Sequence, residues 1–203
     1  MAEYSIAPLY DLLLHPFVHS LRQKLLKLCI EQNYSSILDV CCGTGRQLKM
    51  LHKHGFEVYG VDLSEEMLRE SRKGPYAPEC LLQDASAMSF SSESFAASMT
   101  TFALHEKPSD IARAIISEMI RVVQPGGHLI LTDFHFHDAS SRYSKAVIRA
   151  IEWTAGGDHY RNFKNYISQG GVPDLIKDFP LVSVKTIPAG LNSIGIFVYK
   201  VHN

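Results

Sequence analysis

Seven consecutive residues, Asp39-Val40-Cys41-Cys42-Gly43-Thr44-Gly45, set a carboxylate just ahead of a turn made of small side chains. Small residues between a strand and a helix let a ligand approach the backbone. The helix start beyond them offers unpaired N–H groups and partial positive charge, suited to a carboxylate or phosphate. A carboxylate in front of the loop repels a pyrophosphate but favours an ammonium group. Asp39, Gly43 and Gly45 together therefore suit the two ends of an amino acid, with Cys41 inside the same loop. Asp62 comes 17 residues after Gly45, at the end of the next apolar run. A carboxylate there can accept from both hydroxyls of a ribose, although a cap or turn residue is the plainer reading. Asp84 ends a third apolar run. Its carboxylate can accept from an adenine amino group, with the Ala85 N–H facing a ring nitrogen. Leu63, Met67 and Met88 are candidates for the apolar walls around that ring, or equally for core packing. Amino acid, ribose and adenine, in chain order, are the parts of S-adenosyl-L-methionine.

Other side chains could act on an acceptor. His105 follows the fourth apolar run and is the best-placed general base, if the acceptor carries a proton. Its alternative role is a structural histidine capping the next turn. His135-Phe136-His137-Asp138 puts two imidazoles two residues apart, on one face of a strand, with Asp138 or His159 as a further ligand. Nothing in the sequence fixes a third ligand, so no metal is expected. Cys41 and Cys42, as strand neighbours, point to opposite faces, which argues against joint thiol or soft-metal chemistry. Residues 134–166 hold Phe134, Phe136, Tyr143, Trp153, Tyr160, Phe163 and Tyr166, about twice an even share of the aromatic residues. They suggest an apolar lid over the acceptor, or the core of a helical insert. Tyr10, His105, His135 and Tyr160 are the candidate acceptor contacts. The N-terminal segment, with Tyr4, Tyr10 and His15, is a candidate cover for the other side of the cofactor.

These residues need elements to hold them. The chain has 203 residues, 46% of them apolar and 20% charged, with a net charge of -1. That is an ordinary globular balance, with no basic surplus for nucleic acid. No stretch approaches the roughly 20 apolar residues of a membrane span. The N-terminus lacks a basic signal region, and the four cysteines suggest free thiols, so a cytoplasmic protein is expected. Helical and apolar strand patterns alternate, which predicts an α/β fold with a largely parallel sheet. Residues 9–30 read as one or two helices with a break near Pro16. Strands are expected at 36–40, 57–62, 80–84, 95–100 and 128–134. Helices are expected over 46–54, after the Ser64 cap and over 110–123. Pro125-Gly126-Gly127 reads as a turn. Residues 181–187 and 194–201 read as an antiparallel hairpin around the loop 188–192.

The sequence resembles the class I S-adenosylmethionine-dependent methyltransferases, most closely the small-molecule group that includes the ubiquinone/menaquinone-biosynthesis enzymes (type 11). The matching segments are residues 37–45, residues 60–68, Gln83-Asp84-Ala85, Thr101-Phe102-Ala103-Leu104-His105 and residues 121–129, in the family's order. The resemblance implies a three-layer Rossmann-like fold with a seven-stranded, mostly parallel sheet and a C-terminal antiparallel hairpin. It implies that Asp39, Gly43 and Gly45 hold the methionine end and that Asp62 holds the ribose. Leu63 would pack on adenine, and Asp84 and Ala85 would hold its edge. Thr101 and Phe102 would lie near the sulfonium. Cys41 stands where the family often has glycine.

A nicotinamide-dependent oxidoreductase would also use a glycine loop and an acid after the second strand. Its third glycine belongs at position 48, which is Leu48. A non-catalytic module that binds the cofactor without transfer stays open. A nucleic-acid methyltransferase is disfavoured, because Thr101-Phe102-Ala103-Leu104 replaces the Asn/Asp-Pro-Pro-aromatic motif. The reading is therefore a single domain over 1–203 that methylates a small, apolar or aromatic acceptor, as monomer or homodimer. Its parts are a helical cap at 1–33, a cofactor core at 35–134, a helical lid at 135–178 and a hairpin at 179–203.

Overall fold

The computed structural model describes residues 7–202, with side chains from residue 18. The chain divides into two compact units, Met1–Asn33 and Tyr34–Asn203. The described part of the first is one helix, α1 (Ala7–Gln32).

The second unit is an α/β sandwich around a seven-stranded sheet, ordered β3-β2-β1-β4-β5-β7-β6. Its elements in chain order are β1 (Ser36–Val40), α2 (Arg46–Lys53), β2 (Glu57–Asp62), α3 (Glu65–Ser71), β3 (Glu79–Leu82), β4 (Phe95–Thr101), α4 (Ser109–Val122), β5 (Val123–Phe134), α5 (Arg142–Thr154), α6 (Gly157–Ser168), α7 (Val172–Leu175), β6 (Leu181–Ala189) and β7 (Ile194–Val201). Strands β1 to β5 are parallel, and β7 lies antiparallel between β5 and β6. Ile37, Leu38 and Val40 of central β1 are fully buried. A strand covered on both faces needs such a continuous apolar run, because it has no solvent side to alternate with. The parallel arrangement brings the ends of five strands to one edge: Val40, Asp62, Leu82, Thr101 and Phe134. Order reverses between β1 and β4, whose crossovers leave in opposite directions, and this opens a crevice at that edge.

The expected strands and helices are present, with their ends moved by a residue or two. Three expectations change. First, α1 is one helix that continues through Pro16. A proline mid-helix removes one backbone donor and disturbs a turn, and here the rest of the 26-residue helix carries on beyond it. Second, Pro125-Gly126-Gly127 does not separate a helix from a strand. It bulges out of β5, between the pairs Phe95↔Val123 and Ala97↔His128. A Cβ on Gly127 would stand 2.6 Å from the Ala96 carbonyl oxygen, so only glycine lets the bulge close onto β4. Third, β6 runs through Pro188 to Ala189. It is an edge strand, where a missing N–H costs no ladder bond. Among the described residues, no helix is long and apolar enough to cross a membrane.

Candidate functional site

The loop after β1 is held in an unusual backbone shape. Cys41, Gly43 and Gly45 all have positive φ, at 60°, 54° and 65°. Gly45 starts α2 from this left-handed position, and a Cβ on it would meet the Ser71 Cβ at 2.9 Å. Over Gly43 the ground is open: a Cβ there would meet nothing within 4 Å. The loop is tied to β2, since the Cys42 N–H donates to the Val61 carbonyl at 3.0 Å.

Asp62 fixes the loop from the neighbouring strand. Its Oδ2 accepts from the Gly43 N–H at 2.7 Å, and its Oδ1 accepts from the Ser64 N–H at 2.9 Å. A carboxylate offers about four lone-pair sites, so each oxygen keeps capacity for one hydroxyl. Ser64 in turn caps α3, its hydroxyl accepting from the Met67 N–H at 3.3 Å. Leu63, between them, is 67% exposed. A large aliphatic side chain held in water by such a turn is suited to cover a flat ring. Met67 is half-buried, whereas Met88 is core, only 6% exposed.

Asp84 is exposed and Ala85 buried. Asp84 Oδ1 accepts from both the N–H and the hydroxyl of Ser86, at 2.8 and 2.7 Å. Those bonds hold its carboxyl below the usual range, so it stays an acceptor. Asp39 is buried in β1, opposite Gly60 and Met99. Beside the loop, Gln47 is 7% exposed and neither atom of its amide has a protein partner. A buried amide without partners is costly and offers a ligand both a donor and an acceptor. The sequence reading missed Gln47, whose helical position hides it.

The cysteines separate. Burial pushes the Cys41 thiol up to about 12, and the thiol stays protonated. Cys42 Sγ instead meets Cys80 Sγ at 3.8 Å. That contact exists because Gly60 lies between them: a Cβ there would come within 2.8 Å of both sulfurs.

After β4 the backbone is strained again. Phe102 has φ 56°, and its N–H donates to the Thr132 carbonyl at 2.9 Å. Its ring meets Phe134 at 5.1 Å. A phenylalanine in the left-handed region costs energy, and such residues concentrate at functional sites. Next to it, the Thr101 hydroxyl is buried without a protein partner.

His105, the expected general base, is 3% exposed and held at both nitrogens. Nδ1 is 2.7 Å from Asp133 Oδ1, and Nε2 is 3.3 Å from Glu152 Oε2. Burial alone would depress the imidazolium, but the carboxylates of Asp133 and Glu152 outweigh it and hold the group up at about 10. Both nitrogens are thus engaged by buried carboxylates, which favours the structural reading of His105 over the general base. Asp133 was also missed, although it sits at the end of β5, as Asp62 does at the end of β2. Glu152 gave no signal, being one acid in an amphipathic helix.

The expected aromatic lid splits in two. Phe134, Phe163, Tyr166 and His159 surround His105 with ring centroids 4.7 to 6.3 Å away. Tyr160 stacks on Phe163 at 6.1 Å, and Phe136 meets Phe163 at 6.2 Å. Tyr143 and Trp153 are instead 74% and 69% exposed. His135 does not join this cluster: its ring contacts are His137 and Phe197, at 5.1 and 5.2 Å. It lies one residue beyond the end of β5, and its ring contacts are not those of Phe134. Tyr4 and the side chains of Tyr10 and His15 lie outside the described residues.

A strand order reversing beside a glycine turn, with acids at the strand ends, makes this a Rossmann-like fold with a ligand crevice at that edge. Residues 37–127 match a family model described as a methyltransferase domain. Malonyl-[acyl-carrier protein] O-methyltransferase of Salmonella typhimurium is 35% identical over 108 residues, covering 53% of this chain and 42% of that protein. Demethylmenaquinone methyltransferase of Thermus thermophilus is 34% identical over 139 residues, covering 64% of this chain and 62% of that protein. The chain thus spans about half the length of the curated relatives it matches. Among solved structures, magnesium protoporphyrin IX methyltransferase from Synechocystis, with bound S-adenosylhomocysteine (SAH), aligns with a TM-score of 0.65 at 19% identity. That alignment covers 89% of this chain and 82% of the other. It shows the shared fold.

Proposed function

We propose that this protein transfers a methyl group from S-adenosyl-L-methionine to a small, apolar or aromatic acceptor by direct displacement. The observation that carries the cofactor reading is the joint between Asp62 and Gly43. One carboxylate pins the glycine turn and keeps acceptor capacity toward the crevice, below open ground. Asp39, Gly43 and Gly45 are the residues to hold the amino-acid end, with the Gln47 amide as a further partner. Asp62 takes the ribose hydroxyls, Leu63 covers the adenine, and Asp84 with the Ala85 N–H reads its edge. When bound, the cofactor supplies an electrophilic methyl group on sulfur. The chain's own work is to position the acceptor and exclude water. Thr101 and the strained Phe102 border that position. The rings around Phe134 and Phe163 favour a flat or apolar acceptor. Names among the relatives agree with such acceptors in part, demethylmenaquinone and protoporphyrin being two and a malonyl carrier protein a third. His105 serves as a fixed part of the wall.

Leu48 is fully buried where a dinucleotide fold needs its third glycine. Calorimetric titration with SAH and, separately, NADH tests the cofactor. Saturable binding of SAH alone is expected, and binding of NADH alone overturns the reading. Labelled methyl transfer to a panel of quinols, phenols and acyl thioesters then tests the acceptor. Tight SAH binding with no transfer to any of them would leave a non-catalytic binding module.

A further inference from the structure

Among the described residues, three side chains able to bind a metal converge at one place: His105, Glu152 and His159, with one ligand atom of each within 4.8 Å of the others. They come from three elements. His105 is in the loop after β4, Glu152 in the last turn of α5 and His159 in the first turn of α6. We propose that His105 Nε2, Glu152 Oε2 and His159 Nε2 bind one divalent transition-metal ion of the Zn²⁺ or Co²⁺ type. This ion would fasten the α5–α6 lid to the sheet. The proposal is independent of methyl transfer.

Orientation is the first argument. His105 Nδ1 is hydrogen-bonded to Asp133 at 2.7 Å, while His159 Nδ1 has only an ion-pair contact, 3.6 Å from Glu106 Oε2. Metal-bound histidines nearly always direct their second nitrogen at a carboxylate or carbonyl, which fixes the tautomer and aims the other nitrogen. Here both Nε2 atoms are aimed at the same oxygen, Glu152 Oε2, at 3.3 and 2.5 Å. Nitrogen and oxygen ligands about 2.0–2.1 Å from a tetrahedral ion stand roughly 3.3 Å apart. The His105 pair already has that separation, and His159 needs a small retreat.

Charge is the second argument. Asp133, Glu152 and Glu106 bring three negative charges, and the Lys107 ammonium, 2.6 Å from Glu106, offsets one. With both imidazoles neutral the cluster lacks two positive charges. Asp133 and Glu152 are 1% and 3% exposed, so the deficit cannot be left to solvent. One divalent cation supplies it, and two protons are the rival.

The ligand set, two imidazoles and a carboxylate, is that of many zinc and iron sites and keeps a position open. In either state His105 Nε2 remains engaged. Half-buried His135 and exposed His137, singled out from sequence, meet no third ligand among the described residues.

Co²⁺ titrated into chelator-treated, full-length protein tests this, read by visible ligand-field absorption and by calorimetry. One Co²⁺ per chain, with the strong bands of low coordination and displacement by Zn²⁺, is expected. Glu152→Gln and His159→Gln should each weaken binding at least about tenfold, the least effect seen for outer-sphere partners. His137→Gln should leave it unchanged. Lack of saturable binding, or binding that both ligand variants keep, overturns the proposal. Should a variant fail to fold by circular dichroism, the wild-type melting temperature decides: Zn²⁺ raises it if the site exists and leaves it unmoved if not.

Discussion

Asp133 holds His105 by both side chain and backbone. Asp133 Oδ1 meets His105 Nδ1 at 2.7 Å, while Oδ2 accepts from the backbone N–H groups of His105 and Leu104 at 3.2 and 3.1 Å. Oδ1 also accepts from the Phe134 N–H at 2.7 Å. All four donors need an acceptor, so an amide cannot replace the carboxylate. Whichever way an asparagine amide turned at this position, its NH₂ would face donors. We expect Asp133→Asn to destabilise almost as much as Asp133→Ala, each by about 3–5 kcal/mol, the cost of stranding buried charge and N–H groups. Urea unfolding measures it. An asparagine variant within about 1 kcal/mol of wild type would show that the carboxylate's charge is not what holds this corner.

Asp62→Asn separates loop pinning from ligand binding. The asparagine oxygen can accept from Gly43 or Ser64, but its NH₂ cannot accept from a hydroxyl. Loss of bonds to a charged acceptor costs about 1.5–3 kcal/mol each. SAH affinity should therefore fall by at least roughly tenfold, with the chain still folded. Calorimetry that returned wild-type affinity would remove Asp62 from the ribose site.

Much of this was legible in the sequence because it is local. β1 and β2 announce themselves as short apolar runs, and Ser64 caps α3 at the expected residue. The acids after β2 and β3 follow from the rule that ligands gather at strand ends. What was illegible depends on partners distant in the chain. Pro125-Gly126-Gly127 looks like a turn until Ala96 of β4 is beside it. Nothing in the sequence places Asp133 and Glu152 on the two nitrogens of His105. His135 and Phe134 are sequence neighbours with different ring partners, and an aromatic excess does not say which partners each ring takes.

Cys41 stands where the sequence resemblance leads to an expectation of glycine, in a left-handed backbone position. At φ 60° glycine is the relaxed choice, and cysteine tolerates the position at some cost. A β-branched side chain should not. Cys41→Gly is expected to change stability by no more than about 1 kcal/mol, because relief of strain offsets added freedom in the unfolded chain. Cys41→Val should cost about 1–3 kcal/mol and weaken SAH binding with it. Equal melting temperatures for the two variants would show that the loop is not held in the left-handed shape.

Gly60 tests the packing beneath that loop. A Cβ there would lie 2.7 Å from Cys42 Sγ, 2.7 Å from Leu48 Cδ1 and 2.8 Å from Cys80 Sγ. Contacts this short force neighbours apart, and overpacking a filled core costs about 1–3 kcal/mol. Two of the three atoms belong to the glycine loop and the helix it starts, so Gly60→Ala should also lower SAH affinity. Removing one sulfur makes room: Gly60→Ala with Cys80→Ala should recover part of the stability lost by the single variant. A double variant whose loss equals the sum of the two single losses would mean that the Cys42–Cys80 contact does not set the fit under the loop.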